Sequence, residues 1–141
     1  MLLAAREAIA AGGGAPLLIA VPVLTSLDRP RLAEVGIDVD PAVQVARLAR
    51  LAQEAGLGGG VGSAPEIAAR EALGANFLAV TPGVRPPGSA QDDQQRIATP
   101  AAAVAAGADW LVIGRPITRD PAPAAAVAAI AASIEGVRRP G

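Results

Sequence analysis

The sequence FLAVTPGVRP, residues 77–86, is the most informative part of this chain, because a short apolar run leads directly into glycine and arginine. A second stretch, WLVIGRPIT at residues 110–118, repeats this pattern about thirty residues later. Continuous apolar runs of this kind are typical of strands in a parallel sheet covered on both faces. Glycine backbone and an arginine at a strand end are suited to binding a phosphate group. The two stretches therefore predict an anion site at one edge of a parallel sheet.

Further apolar runs and helix signals complete the pattern around these two stretches. Short strand-like runs also occur at residues 17–21 and 60–62. Helix starts are predicted wherever a capping side chain precedes a proline of the first turn. These are Asp40-Pro41, Ser63-Ala64-Pro65-Glu66, Thr99-Pro100 and Asp120-Pro121, and helices are predicted to end at Gly56, Gly74 and Gly107. The predicted order is one helix followed by four strand–helix units.

Four such units fit either an open doubly wound sheet or half of a (β/α)8 barrel. A whole barrel typically takes about 250 residues, whereas this chain has 141. The chain also opens on a helix, although complete α/β domains usually open on a strand. We therefore predict one partial barrel domain over residues 1–141, truncated on its N-terminal side.

The composition narrows the possible chemistry. All 12 basic residues are arginine, and there is no lysine, histidine or cysteine. This composition excludes disulfides, thiolate or serine–histidine catalysis, and a zinc site built from histidine or cysteine. No metal site is expected. The formal net charge of −1 and scattered arginines do not indicate a nucleic-acid partner. Without an evident signal peptide or membrane span, we expect a cytoplasmic protein that does not associate with membranes.

Two short segments are candidate ligand contacts. Gly114 and Arg115 could hold an oxyanion, although Arg115 could instead pair with Asp120. Thr25 and Ser26 follow the first strand, where their hydroxyls could bind a polar ring or merely cap the next turn.

The connection from Pro86 to Ala98 is long enough to suggest a functional loop rather than a solvated excursion. Its Asp92-Asp93 pair is interpreted as solvated. The glycine run at residues 56–60 ends a helix and enters a strand, which is the reverse of a dinucleotide-binding turn.

Taken together, the motifs resemble orotidine 5'-phosphate decarboxylase. They are Leu24-Thr25-Ser26, Gly62-Ser63-Ala64, the stretch from Val80 to Pro86, Asp93-Gln94-Gln95-Arg96, Thr99-Pro100 and the stretch from Val112 to Thr118. Their order matches the C-terminal half of that enzyme from Met1 to about Ser133. Pro22 and Gly62 depart mildly from residues usual in the family.

The resemblance implies a role for each matching position. Gly114 and Arg115 would hold the 5'-phosphate, and Gln94 would lie across the phosphate and pyrimidine in a closing loop. Arg85 would orient that loop, and Thr25 with Ser26 would contact the base. The ligands would be orotidine 5'-phosphate and UMP, with no metal or organic cofactor, and the full-length enzyme would be a homodimer.

The resemblance also implies what this chain lacks. Family members break the bond to CO2 with an Asp-x-Lys-x-x-Asp segment and a further lysine and aspartate, all in the N-terminal half of the barrel. No position here corresponds to them, so we expect the chain alone to be inactive, with no catalytic residue of its own. Two alternatives remain, namely a noncatalytic, self-assembling phosphate-binding module, and a related sugar-phosphate decarboxylase or synthase. The Asp-Gln-x-Arg loop disfavours the second of these.

Overall fold

The fold is built on four parallel strands in the order of the sequence. A computed structural model describes residues 1–67, 74, 76–87 and 97–138. The strands are β1 (Ile19–Ala20), β2 (Gly59–Val61), β3 (Leu78–Thr81) and β4 (Trp110–Leu111), which lie side by side as β1-β2-β3-β4. Each strand pairs in parallel with the next one along the chain. The predicted order of one helix and four strand–helix units is therefore confirmed.

Helices precede the first strand, connect consecutive strands and follow the last strand. They are α1 (Leu2–Ala11), α2 (Arg29–Glu34), α3 (Pro41–Glu54), α4 (Ala64–Ile67), α5 (Pro100–Ala105), α6 (Arg115–Thr118) and α7 (Pro123–Ile134). The capping predictions at Asp40 and Thr99 are confirmed, because these side chains accept hydrogen bonds from the amides of Ala42 and Ala102. Gly56, Gly74 and Gly107 all have positive φ, as expected where a helix turns into the next strand.

The predicted start of the last helix is wrong by about two residues. Helix α7 begins at Pro123, and the Asp120 carboxylate instead accepts a 2.8 Å hydrogen bond from the Ala122 amide in the turn before it. The short helices α2 and α6 were not predicted. Both carry proline in the first turn, at Pro30 and Pro116, so the same signal that marks the other helix starts is present there.

The helix-covered face of the sheet forms most of the core. Phe77, which precedes β3, packs with Ala49, Ala52 and Ala55 around the C-terminal part of α3. A second cluster joins Ala64, Val84, Ala103 and Ala108. Because aromatic residues are nearly absent, this core depends on the close approach of alanine-rich helices to the sheet.

The opposite face of the sheet is less buried than the sequence indicates. Along β3, Ala79 and Thr81 are buried whereas Leu78 and Val80 are only partly buried. On β4, Trp110 is 64% exposed. The prediction of strands buried on both faces is therefore wrong for this chain, because the side chains on this face are partly buried or exposed.

No helix within the described ranges combines the length and the apolar character needed to cross a membrane.

Candidate functional site

The two glycine- and arginine-bearing stretches end neighbouring strands. Thr81, the last residue of β3, is in register with Leu111, the last residue of β4, and the Val112 amide donates to the Thr81 carbonyl at 2.8 Å. The segments that follow therefore leave the same edge of the sheet side by side. Adjacent strands are about 4.8 Å apart, so the Arg85 and Gly114 segments start from neighbouring positions. This is the edge where ligands bind in parallel α/β folds.

The segment after β3 is fixed by a tight turn and by a returning chain. Gly83 has a φ of 71°, a left-handed conformation that glycine adopts without strain. The Arg85 amide donates to the Ala98 carbonyl at 2.9 Å, and Val84 forms a parallel bridge with Ala98. The two ends of the predicted functional loop thus lie beside one another.

Arg85 is unusually buried for an arginine, with 7% of its surface exposed. Burial of a guanidinium is costly unless polar groups surround it, so such a residue is held for a structural or a binding purpose. Its backbone position is restricted by the hydrogen bond from its amide to the Ala98 carbonyl. The structure places Arg85 at the sheet edge where the sequence predicts it.

Gly114 and Arg115 stand at the start of a single helical turn. Gly114 is exposed, and its carbonyl accepts from the amides of Ile117 and Thr118 at 2.9 and 3.0 Å. A Cβ built at Gly114 would have no atom within 4 Å, so the space beside its backbone is open. Arg115 is partly buried at the first position of α6. An oxyanion can therefore reach the Gly114 backbone with the Arg115 guanidinium close by.

Thr25 and Ser26 lie in the loop after β1, at the same edge of the sheet. The loop turns through a 2.9 Å hydrogen bond from the Leu27 amide to the Leu24 carbonyl. It leads into α2, where Asp28 accepts from the Arg31 amide at 3.1 Å. Both hydroxyl-bearing residues are partly buried. Since β2 lies between β1 and β3, Thr25 and Ser26 begin two strands away from the Arg85 segment.

The loop after β2 carries a buried polar pair. The Glu66 carboxylate accepts 2.7 Å hydrogen bonds from both the amide and the hydroxyl of Ser63. The bond from the Ser63 amide to the Glu66 carboxylate is one arm of the predicted capping box, and the Glu66 amide also donates to the Ser63 carbonyl at 2.9 Å. Ser63 is 1% and Glu66 5% exposed. This buried hydrogen-bonded pair therefore holds the segment that follows β2 in place.

Some predicted groups are not located. Gln94, together with Asp92, Asp93 and Arg96, lies outside the described residues. Within the ranges that are described, no three histidine, cysteine, aspartate or glutamate side chains are grouped so as to hold a metal ion. The pairing of Val84 with Ala98 was not predicted, although the flanking Thr99-Pro100 helix start shows where the long connection ends.

Comparison with known proteins shows where this architecture recurs. Residues 1–130 match the family model described as Orotidine 5'-phosphate decarboxylase / HUMPS family. An orotidine 5'-phosphate decarboxylase of Pseudomonas entomophila (strain L48) is 56% identical over 137 residues, which are 96% of this chain and 59% of the relative. Another from Halorhodospira halophila (strain DSM 244 / SL1) is 61% identical over 135 residues, with 95% of this chain and 57% of the relative covered.

Solved structures agree with these sequence matches. The crystal structure of the orotidine 5'-phosphate decarboxylase from Lactobacillus acidophilus aligns with a TM-score of 0.81 at 35% identity, covering 96% of this chain and 58% of that one. An uncharacterized conserved protein from Geobacillus kaustophilus aligns with a TM-score of 0.78 at 38% identity. The chain spans somewhat less than three fifths of the relatives' length, as a half-barrel fragment of such an enzyme does. With the family model matched over residues 1–130, this chain belongs to the orotidine 5'-phosphate decarboxylase / HUMPS family.

Proposed function

We propose that this chain is the phosphate- and base-binding part of an orotidine 5'-phosphate decarboxylase, the enzyme that converts orotidine 5'-phosphate to UMP and CO2. The observation that carries the proposal is the register of β3 with β4, which brings the Arg85 and Gly114-Arg115 segments to one sheet edge. Residues 1–141 would form one partial barrel domain, in the cytoplasm, with no nucleic-acid or membrane partner. The complete enzyme would be a homodimer.

Each site residue has a distinct part in this proposal. The Gly114 amide and the Arg115 guanidinium hold the 5'-phosphate, Arg85 orients the loop that carries Gln94, and Gln94 spans the phosphate and the pyrimidine. Thr25 and Ser26 contact the base from the loop after β1. Hydrogen bonds to a phosphate remote from the bond that breaks contribute to catalysis when that binding energy is realised in the transition state. These residues therefore bind and orient the nucleotide.

The carbon–carbon bond cannot be broken with the groups of this chain alone. When CO2 leaves, the electron pair of the broken bond remains on C6 of the pyrimidine, and a proton must be delivered there. A lysine ammonium can stabilise that charge and donate the proton, yet the chain has no lysine or histidine. The missing groups would come from the part of the family enzyme that this chain does not match.

A complementation assay tests the proposal. The purified chain alone is expected to release no CO2 from orotidine 5'-phosphate. Mixing it with the unmatched segment of the Pseudomonas entomophila enzyme should restore measurable decarboxylation, and an Arg115→Ala chain should restore much less. Turnover by the chain alone would contradict the assignment of the catalytic groups.

A binding assay distinguishes the nucleotide from an open-chain sugar phosphate. Titration calorimetry with UMP, uridine and ribose 5-phosphate separates the contribution of the base from that of the phosphate. Tighter binding of UMP than of either partial ligand is the expected result. Equal affinities for UMP and ribose 5-phosphate would favour a sugar-phosphate enzyme of the same family.

A further inference from the structure

The sheet has an inner face, turned away from the helices, that is apolar. We define it as Ile19, Val21, Val61, Leu78, Val80 and Trp110. Register places Val61, Val80 and Trp110 in one row across three strands. A Cβ built at Gly59 would meet Leu78 and Ile19, which places these two side chains in a second row on this same face. Alternation along the strands then adds Val21 to the face.

Two of the six residues that define the inner face are exposed, and the other four are partly buried. Val21 is 57% and Trp110 64% exposed, and Val112, two residues beyond Trp110, is 51% exposed. None of the defining side chains is charged, so a second apolar surface can cover them without burying an unpaired charge. Contiguous apolar surface of this kind marks an interaction site.

Both borders of the sheet are open in the described chain. Strand β1 pairs with β2 alone, and β4 pairs with β3 alone. Each outer strand therefore presents unpaired backbone donors and acceptors on one side, which is a template for pairing with another strand. The inner face reaches both open borders, because Val21 directly follows β1 and Trp110 lies on β4.

We propose that a second copy of this chain covers the inner face and closes the sheet into an eight-stranded barrel. A two-fold axis along the barrel would place β4 of each copy beside β1 of the other, with all strands parallel. Eight tilted parallel strands give a closed barrel whose interior is just filled by side chains. Closure removes both open borders of each copy at once, and the symmetry limits the assembly to a dimer.

The helices beside the two borders are also incompletely buried. Helix α1 has no buried residue, and its Leu3 is 55% exposed. In the described chain, Leu2 of α1 packs against the core cluster that contains Ala52. Arg6 Nη1 also donates a 3.0 Å hydrogen bond to the Ala55 carbonyl. At the other border, α7 has Val127 48% exposed. In the dimer, α1 of one copy and the alanine-rich α7 of the other lie on the same flank and can pack together.

The assembly is tested on the intact 141-residue chain by sedimentation velocity over a range of concentrations. The expected species has twice the 13.9 kDa mass of the chain. Trp110 is the single tryptophan, so its fluorescence reports directly on the inner face. Its emission should shift to shorter wavelength as the dimer forms on raising the concentration. A persistent monomer with water-exposed Trp110, or open-ended oligomers without a dimer, would overturn the proposal.

Substitutions on the inner face give a second test. Val112→Asp should raise the dimer dissociation constant on the order of 100-fold. The reason is that a carboxylate would be buried at both places where β4 of one copy lies beside β1 of the other. Val43→Asp is the matched control, since Val43 is 45% exposed on α3 and is not part of the inner face. Val21→Asp at the opposite border should act like Val112→Asp, and circular dichroism verifies that the dissociated variants keep their helices. Dimers unaffected by both border substitutions would refute this interface.

The assay also separates a second copy from another partner. A chain that stays monomeric alone and forms a one-to-one complex only with the unmatched segment of a relative would contradict self-association. That result would leave the proposed nucleotide site intact, because UMP binding and oligomeric state are measured independently.

Discussion

The backbone amide of Arg85 donates a 2.9 Å hydrogen bond to the carbonyl of Ala98, which lies thirteen residues further along the chain. This bond and the bridge between Val84 and Ala98 hold together the two ends of the connection that contains Gln94. A loop anchored at both ends loses less conformational entropy when it closes on a ligand. The contact between Arg85 and Ala98 therefore holds the two ends of this connection together at the sheet edge.

Gly83, at the turn before Arg85, is expected to be sensitive to a side chain. Because its φ is 71°, a Gly83→Ala variant should lose about 1–2 kcal/mol of the free energy of unfolding. Gly114→Ala is the contrasting variant, since φ there is −99° and a Cβ meets no neighbour within 4 Å. It should keep its stability yet bind UMP more weakly. Urea unfolding and calorimetry measure the two effects, and equal stability losses in both variants would contradict this distinction.

Arg115 is expected to contribute most of the charge-assisted affinity for phosphate. Hydrogen bonds to charged groups contribute about 1.5–3 kcal/mol, so Arg115→Ala should weaken UMP binding roughly 10- to 100-fold. Arg119→Ala, which removes an exposed arginine one helical turn later, serves as the control. Affinity for uridine, which lacks the phosphate, should be the same in both variants. An equal loss of uridine affinity in Arg115→Ala would show that the substitution disturbs the fold and does not remove a specific phosphate contact.

Thr81 offers a stabilising substitution. Thr81 is fully buried, and its Oγ1 atom has no hydrogen-bond partner within the described chain. Because an unsatisfied buried hydroxyl costs about 1–3 kcal/mol, the nearly isosteric Thr81→Val should raise the free energy of unfolding by about 1 kcal/mol. Thr118→Val, at an exposed position of α6, should change it by less than about 0.5 kcal/mol. Denaturant titration checks both values, and destabilisation by Thr81→Val would indicate a partner for the hydroxyl.

Glu66 is expected to stabilise the segment after β2. Glu66→Gln keeps the shape of the side chain but removes the charge that strengthens its two 2.7 Å bonds with Ser63. A loss of about 1–2 kcal/mol in the free energy of unfolding is expected. Glu54→Gln, at the exposed C-terminal end of α3, provides the comparison. Equal stability of the two variants would mean that the buried pair contributes no more than a surface carboxylate.

The sequence predicted the element order well because its signals are local. Asp40 and Thr99 are caps that act within one turn, and Gly56 and Gly107 end helices through their own backbone conformation. The start of α7 was missed because Asp120 and Pro121 form a turn as readily as a helix start. Local chemistry alone does not choose between those two outcomes, and the packing of α7 against α5 and α6 does.

For the candidate site, the sequence identified Arg85, Gly114 and Arg115 and placed them at strand ends, because apolar runs followed by glycine and arginine are visible in a single chain. It also determined that no lysine or histidine is present to deliver a proton. The tertiary structure decided the adjacency of β3 and β4, the clamp between Arg85 and Ala98, and the burial of Arg85. It also decided that the inner face of the sheet is open. Such features depend on strand order and on which elements cover which face, and these arise from long-range packing that no local pattern encodes.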